Sequence, residues 1–134
     1  MVIAVDFDGT IVEHRYPAIG KERPFAIEVL KQLAAEGNRI ILWTSREGNL
    51  LEEAVAFCRE RGLEFYAVNS EVPADSLFAK SASNRHKISA DIFIDDHNLG
   101  GLPDWGEIYE MVTRQRFERK QHRSRRRWRL FGKR

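Results

Sequence analysis

Three short clusters carry the side chains that could do chemistry. Asp6 and Asp8 stand one residue apart in Asp6-Phe7-Asp8-Gly9-Thr10, Thr44 and Ser45 are adjacent, and Asp95 and Asp96 form a second acidic pair. In extended chain Asp6 and Asp8 point to the same side. Two carboxylates about 4 Å apart repel by roughly 4 kcal/mol at an effective dielectric of about 20. Such a cluster calls for a divalent cation, a bound proton or a specific partner. Hard oxygen donors of this kind suit magnesium, which takes a few carboxylates together with water and a phosphate oxygen. The histidines His14, His86, His97 and His122 are scattered without zinc spacing and read as ordinary polar residues, with His14 and His97 the two that could reach a substrate. Cys58, the single cysteine, reads as a small buried hydrophobe on a helix face.

These clusters need strand ends to hold them. The apolar, β-branched run Val2-Ile3-Ala4-Val5 reads as a buried strand that delivers Asp6 and Asp8 to a loop, with Gly9 allowing a left-handed turn. Residues 10 to 23 read as a loop or short hairpin. Pro24 suits the first position of a helix whose inner face is Ala26, Ile27, Leu30, Leu33 and Ala34, closed by Gly37. Ile40-Ile41-Leu42-Trp43 predicts a second strand, running into Thr44 and Ser45. A second helix is expected over about 50 to 61, with Leu51, Ala54, Val55 and Cys58 inward. Phe65-Tyr66-Ala67-Val68 predicts a third strand and Asp91-Ile92-Phe93-Ile94 a fourth, separated by a mostly irregular stretch. Continuous apolar strands alternating with helices predict an α/β fold: a Rossmann-like parallel sheet flanked by helices on both faces. In such sheets ligands bind outside the carboxyl ends of the strands, where the strand order reverses. All three clusters follow strands and converge on that edge.

Phosphoryl transfer is the reaction that uses four carboxylates and hydroxyl donors most naturally. Asp-Phe-Asp-Gly-Thr after a short N-terminal strand resembles the first motif of the haloacid dehalogenase (HAD) superfamily, most of whose members are magnesium-dependent phosphohydrolases. The resemblance covers roughly residues 1 to 100. It implies that Asp6 is the nucleophile, forming an aspartyl-phosphate. It makes Asp8 the acid/base that protonates the leaving oxygen and later activates water. Thr44 matches the second motif's phosphoryl-binding hydroxyl, with Ser45 as the alternative, and Gly9, Thr10 and Ser45 are implied substrate contacts. The third motif's lysine, which balances the phosphoryl and carboxylate charges, matches Lys87 in His86-Lys87-Ile88-Ser89-Ala90-Asp91, with Lys80 as the alternative. Asp95-Asp96 matches the fourth motif. The implied metal is Mg²⁺, bound by Asp6, Asp8 through its backbone carbonyl, Asp95 and Asp96, with Asp96 the more direct ligand of the last pair.

The 134 residues suit one domain with a real core. Neither the stretch from Thr10 to Pro24 nor residues 69 to 86 is long enough for a folded cap, so an open site is expected. Such a site admits a macromolecular phosphate end, or is covered by a neighbouring subunit or by the chain's own segments. Residues 97 to 106 form either a substrate wall with Trp105 or a structural turn with Trp105 in the core. No apolar run approaches the ~20 residues of a membrane span, Asp6 interrupts the N-terminal run before it could serve as a signal peptide, and the single cysteine fits a reducing cytoplasm.

The net charge of +2 hides an asymmetry. Residues 114 to 134 carry 11 Lys or Arg against Glu118, a local charge of +10, so residues 1 to 113 sum to −8. This divides the chain into an acidic HAD-like domain over 1–113 and a basic tail over 114–134, helical or disordered. The tail suits nucleic acid, an anionic surface or an acidic partner. The reading is a Mg²⁺-dependent phosphomonoesterase acting on a small molecule or a macromolecular end. Its rivals are a nucleic-acid end phosphatase and a HAD-like binding module that recruits anionic partners through the tail.

Overall fold

Residues 1–73 and 88–131 are described by the structure, a computed structural model. In chain order the elements are β1 (Val2–Val5), α1 (Ala26–Ala35), β2 (Arg39–Leu42), α2 (Gly48–Glu60), β3 (Ala67–Val68), β4 (Ile92–Ile94) and α3 (Trp105–Phe131). The four strands form one parallel sheet in the order β3-β2-β1-β4. From β1 the chain winds outward through β2 to β3, then returns to the other side of β1 as β4. The order therefore reverses between β1 and β4.

Register sorts the strand residues onto two faces. Ile3 pairs with Ile40 and Ile92, and Val5 with Leu42 and Ile94. These alternate residues enter one large core with Leu30 and Leu33 of α1, Ala54 and Cys58 of α2, and Trp105, Ile108 and Val112 of α3. Phe7 joins them, with the edge of its ring against Phe57 at 5.9 Å between centroids. All three helices thus cover the same face. The expectation of helices on both faces is met only on this side among the described residues. The opposite face carries Ala4, Ile41 and Ala67, covered by Ile88 with Trp43, Tyr66 and Ala90 around it.

Several boundaries move from those the sequence suggests. Pro24 precedes α1 instead of opening it, because Phe25 takes a left-handed conformation (φ 65°) and the helix starts at Ala26. β3 keeps only Ala67 and Val68, since it is an edge strand with β2 as its one neighbour. Residues 11 to 23 form a short hairpin-like excursion, with Val12 bridged to Glu22 and Glu13 N–H donating to the Lys21 carbonyl. α3 is the largest departure. It runs unbroken for 27 residues, about 40 Å, through the proposed division between residues 113 and 114. Its first turns are packed on the core, and from Phe117 onward it is exposed. No described helix is long and apolar enough to cross a membrane.

Candidate active site at the carboxyl edge of the sheet

The sheet's ladder continues one residue past the strands and fixes their ends. Asp6 N–H donates to the Ile94 carbonyl (3.0 Å), Trp43 N–H to the Val5 carbonyl (2.8 Å) and Asn69 N–H to the Leu42 carbonyl (2.8 Å). Asp6 and Asp95 consequently emerge side by side from neighbouring parallel strands, at the point where strand order reverses. Carboxylate oxygens of Asp6, Asp95 and Asp96 all lie within 4.8 Å of one another, in half-buried surroundings. Burial first, and then the charges of Asp95, Asp96 and Asp8, push the Asp6 carboxyl up to about 7 against a lowering hydrogen bond from Phe7 N–H.

A network aims the last acidic pair. The Thr10 hydroxyl donates to Asp96 Oδ1 (3.2 Å) and accepts from the Asp96 N–H (3.1 Å), joining residues 86 apart in sequence. Asp95 Oδ1 accepts from the His97 N–H (2.8 Å). Gly9 makes the approach possible: at φ 83° it lies so close that a Cβ there would fall 2.3 Å from Asp96 Oδ2. Arg23 secures the same turn by donating from Nε to the Gly9 carbonyl (3.0 Å). Trp105 belongs to the core, and its indole N–H donates to the Thr10 carbonyl at 3.1 Å.

Asp8 takes a different course from Asp6. Its carboxylate faces Arg46 in a two-pronged ion pair, Nε to Oδ2 at 2.7 Å and Nη2 to Oδ1 at 2.8 Å. Arg46 is fully buried, and its remaining donors meet the carbonyls of Pro17, Ala18 and Leu50. Phe7 and Tyr16 lie against the guanidinium, each ring centroid 5.2 Å from its carbon. The guanidinium is thereby held protonated, first by its hydrogen bonds to Asp8.

Of the four acids read as metal ligands, then, Asp6, Asp95 and Asp96 come together, and the Asp8 side chain is given to Arg46. Thr10, read as a substrate contact, is buried and spends its hydroxyl on Asp96. Gly9 is the cradle beneath Asp96. Thr44 stands at the end of β2, anchored by its N–H to Asn69 Oδ1 (2.8 Å). Its hydroxyl accepts from Arg46 N–H (3.1 Å), which leaves its own hydrogen free to donate. Ser45 is exposed beside it, and both line a cavity of about 550 Å³ with Trp43, Gly48, Leu51 and Asn69. His97 is exposed, with Nε2 3.6 Å from Asp96 Oδ2, and His14 is exposed on the excursion after β1. Lys80 and Lys87 lie outside the described residues.

Sequence reasoning missed Arg46, Asn69 and Arg23. Thr44-Ser45-Arg46 directly after a strand was the one available signal for the first, since an arginine beside a strand-end hydroxyl is placed to meet the strand-end acids. A donor set made only of hard oxygens, crowded together at one edge of the sheet, fits a divalent cation such as Mg²⁺ held by Asp6, Asp95 and Asp96.

No protein-family model matches the chain, and no curated protein matches it. Among solved structures it is similar to that of a conserved protein from Bacteroides thetaiotaomicron, with 59% sequence identity over 86% of this chain and 91% of that one, and a TM-score of 0.77. The chain therefore belongs to the same family as that conserved Bacteroides protein.

Proposed function

We propose that this chain is a Mg²⁺-dependent phosphomonoesterase of the HAD type that works through Asp6. The observation that carries the reading is the convergence of Asp6, Asp95 and Asp96 within 4.8 Å at the reversal of strand order, with the Thr44 hydroxyl at the end of the adjacent strand.

The steps balance without further reagents. An Asp6 oxygen attacks phosphorus, the ester P–O bond breaks, and the leaving oxygen takes a proton that one Asp8 oxygen carries, picked up from solvent or from the water of the preceding turnover. Water then attacks the phosphoryl group on Asp6 and gives a proton to Asp8, releasing phosphate and the free carboxylate. Arg46 sets the direction of Asp8. Each Asp8 oxygen accepts one guanidinium hydrogen bond and keeps a second site, which can carry the proton given to the leaving group and afterwards accept the one taken from water. Thr44 donates to a phosphoryl oxygen. Asp6, Asp95 and Asp96 would hold a divalent cation, which would supply counter-charge to the acids and Lewis-acid polarisation of the phosphoryl group.

The test is phosphate release from a panel of sugar phosphates, nucleotides and 5′- and 3′-phosphorylated oligonucleotides, with and without Mg²⁺. Metal-dependent turnover of one class, lost in Asp6→Asn while the circular dichroism spectrum is kept, is the expected result. Undiminished turnover by Asp6→Asn overturns the mechanism.

A further inference from the structure

α3 begins beside the acidic site and leaves the domain at the opposite edge of the sheet. Trp105, in its first turn, bonds Thr10 next to Asp96. By Arg116 the helix has reached the end of α1, where the guanidinium meets the Glu36 carbonyl, and Arg119 pairs with Asp91 at the start of β4. Asp91 also accepts the Val2 N–H (2.8 Å), which places this contact at the amino ends of the strands. Twelve further residues carry the helix about 18 Å beyond the domain.

We infer that this projecting arm, residues 117 to 131, binds the phosphate backbone of nucleic acid without reading its sequence, at the pole opposite the acidic site. Its unengaged cations are Lys120, Arg123, Arg125, Arg126, Arg127 and Arg129, none with a carboxylate at ion-pair distance among the described residues. Arg119, Arg123 and Arg127 follow one another at four-residue spacing, as do Arg125 and Arg129, while Arg123, Arg126 and Arg129 are three apart. Like charges at these spacings oppose the helix, and a polyanion relieves them.

The pattern around the helix selects the polyanion. At 100° per residue the six cations spread over about 220° of the circumference. The remaining sector holds Phe117, Trp128 and Phe131, but Gln121 and Ser124 interrupt it, and Leu130 stands on the far side among arginines. A continuous apolar face, which a bilayer surface requires, is missing from residues 117 to 131. Charge on both flanks suits a groove with phosphates along both walls, and a helix about 10–12 Å wide matches a major groove of about 12 Å. Five of the six cations are arginine, whose planar fork meets phosphate with two hydrogen bonds.

The experiment is fluorescence anisotropy of a 20-base-pair DNA duplex titrated with the full chain from 50 to 300 mM KCl. Six phosphate contacts give a log–log salt slope of about −5. The full-length variant R123Q/R125Q/R126Q/R127Q/R129Q keeps good helix formers and should bind at least 100-fold more weakly at 100 mM KCl, with a slope near −1. Its Mg²⁺-dependent hydrolysis of a small phosphate ester should be unchanged, which separates the arm from the site. Equal duplex binding by parent and variant overturns the inference. So does a parent that ignores the duplex at 100 mM KCl, including one that instead sediments with phosphatidylserine vesicles.

Discussion

Replacing Arg46 by methionine should cost far more than the loss of an ordinary surface charge. The side chain is fully buried and uses all its donors, two on the Asp8 carboxylate at 2.7 and 2.8 Å and the others on three backbone carbonyls. Methionine fills the space but leaves Asp8, whose side chain is only 11% exposed, without its counter-charge, and three carbonyls without a donor. Removing one partner of such a pair costs about 3–5 kcal/mol. For a domain of this size that amounts to roughly 10–20 °C in melting temperature. Asp8→Asn alone should be destabilising for the converse reason. The double variant D8N/R46M should recover about half of the summed loss, because no unpaired charge then remains. Calorimetric melting or urea unfolding of the four proteins gives the coupling energy directly. A single-variant loss below about 1 kcal/mol, or strict additivity, would show that the pair contributes no more than a surface ion pair. Arg46→Lys tests the geometry, since one ammonium cannot reproduce a two-pronged contact and should fall closer to methionine than to the parent.

Two further outcomes follow from the acid cluster. The folded pKa of Asp6, about 7, lies above its ordinary 3.8, so the metal-free protein loses stability as pH rises through that interval. The full shift corresponds to about 4 kcal/mol, reduced to about 2 by solvent screening at a partly exposed group. Between pH 5 and pH 8 the melting temperature of Asp6→Asn should therefore gain about 5 °C on the parent, and parallel pH profiles would contradict the assignment. Gly9→Ala forces a Cβ against Asp96 at a left-handed φ. It should lose about 1–3 kcal/mol of stability and at least tenfold in Mg²⁺ affinity by isothermal titration, whereas unchanged affinity would show that Asp96 is not aimed through this turn.

What the sequence made legible was whatever depends on local pattern. Val2 to Val5 and Ile40 to Leu42 are apolar on both faces, so they had to be buried strands, and the acids after them had to emerge at one edge. The site's inner logic was less accessible, because it rests on pairings that sequence distance conceals. Thr10 reads as a free hydroxyl until β4 brings Asp96 to it. Arg46, between exposed Ser45 and Glu47, has the neighbours of a surface charge, and only the fold shows that Asp8 and three carbonyls enclose it. Trp105, between Gly100-Gly101 and Gly106, sits in loop-like surroundings yet anchors the longest helix. That helix lacks an apolar stripe beyond Val112, and its continuity comes from residues such as Arg, Gln and Glu that favour helix without burial.

The strand order also bears on when the site comes into being. Asp6 and Thr10 leave the ribosome first, while Asp95 and Asp96 follow some 85 to 90 residues later, roughly 4–18 s at ordinary synthesis rates. During that interval β1 can pair with β2, but its other edge waits for β4, and the Thr10 hydroxyl has no carboxylate to meet. Zippering the last strand joins residues 89 apart, among the more non-local pairings described, so it should be among the slower events. It also creates the acid cluster. A nascent or partly unfolded molecule consequently lacks the cluster, and under the proposed function the onset of divalent-cation uptake during refolding would time the closing of the sheet.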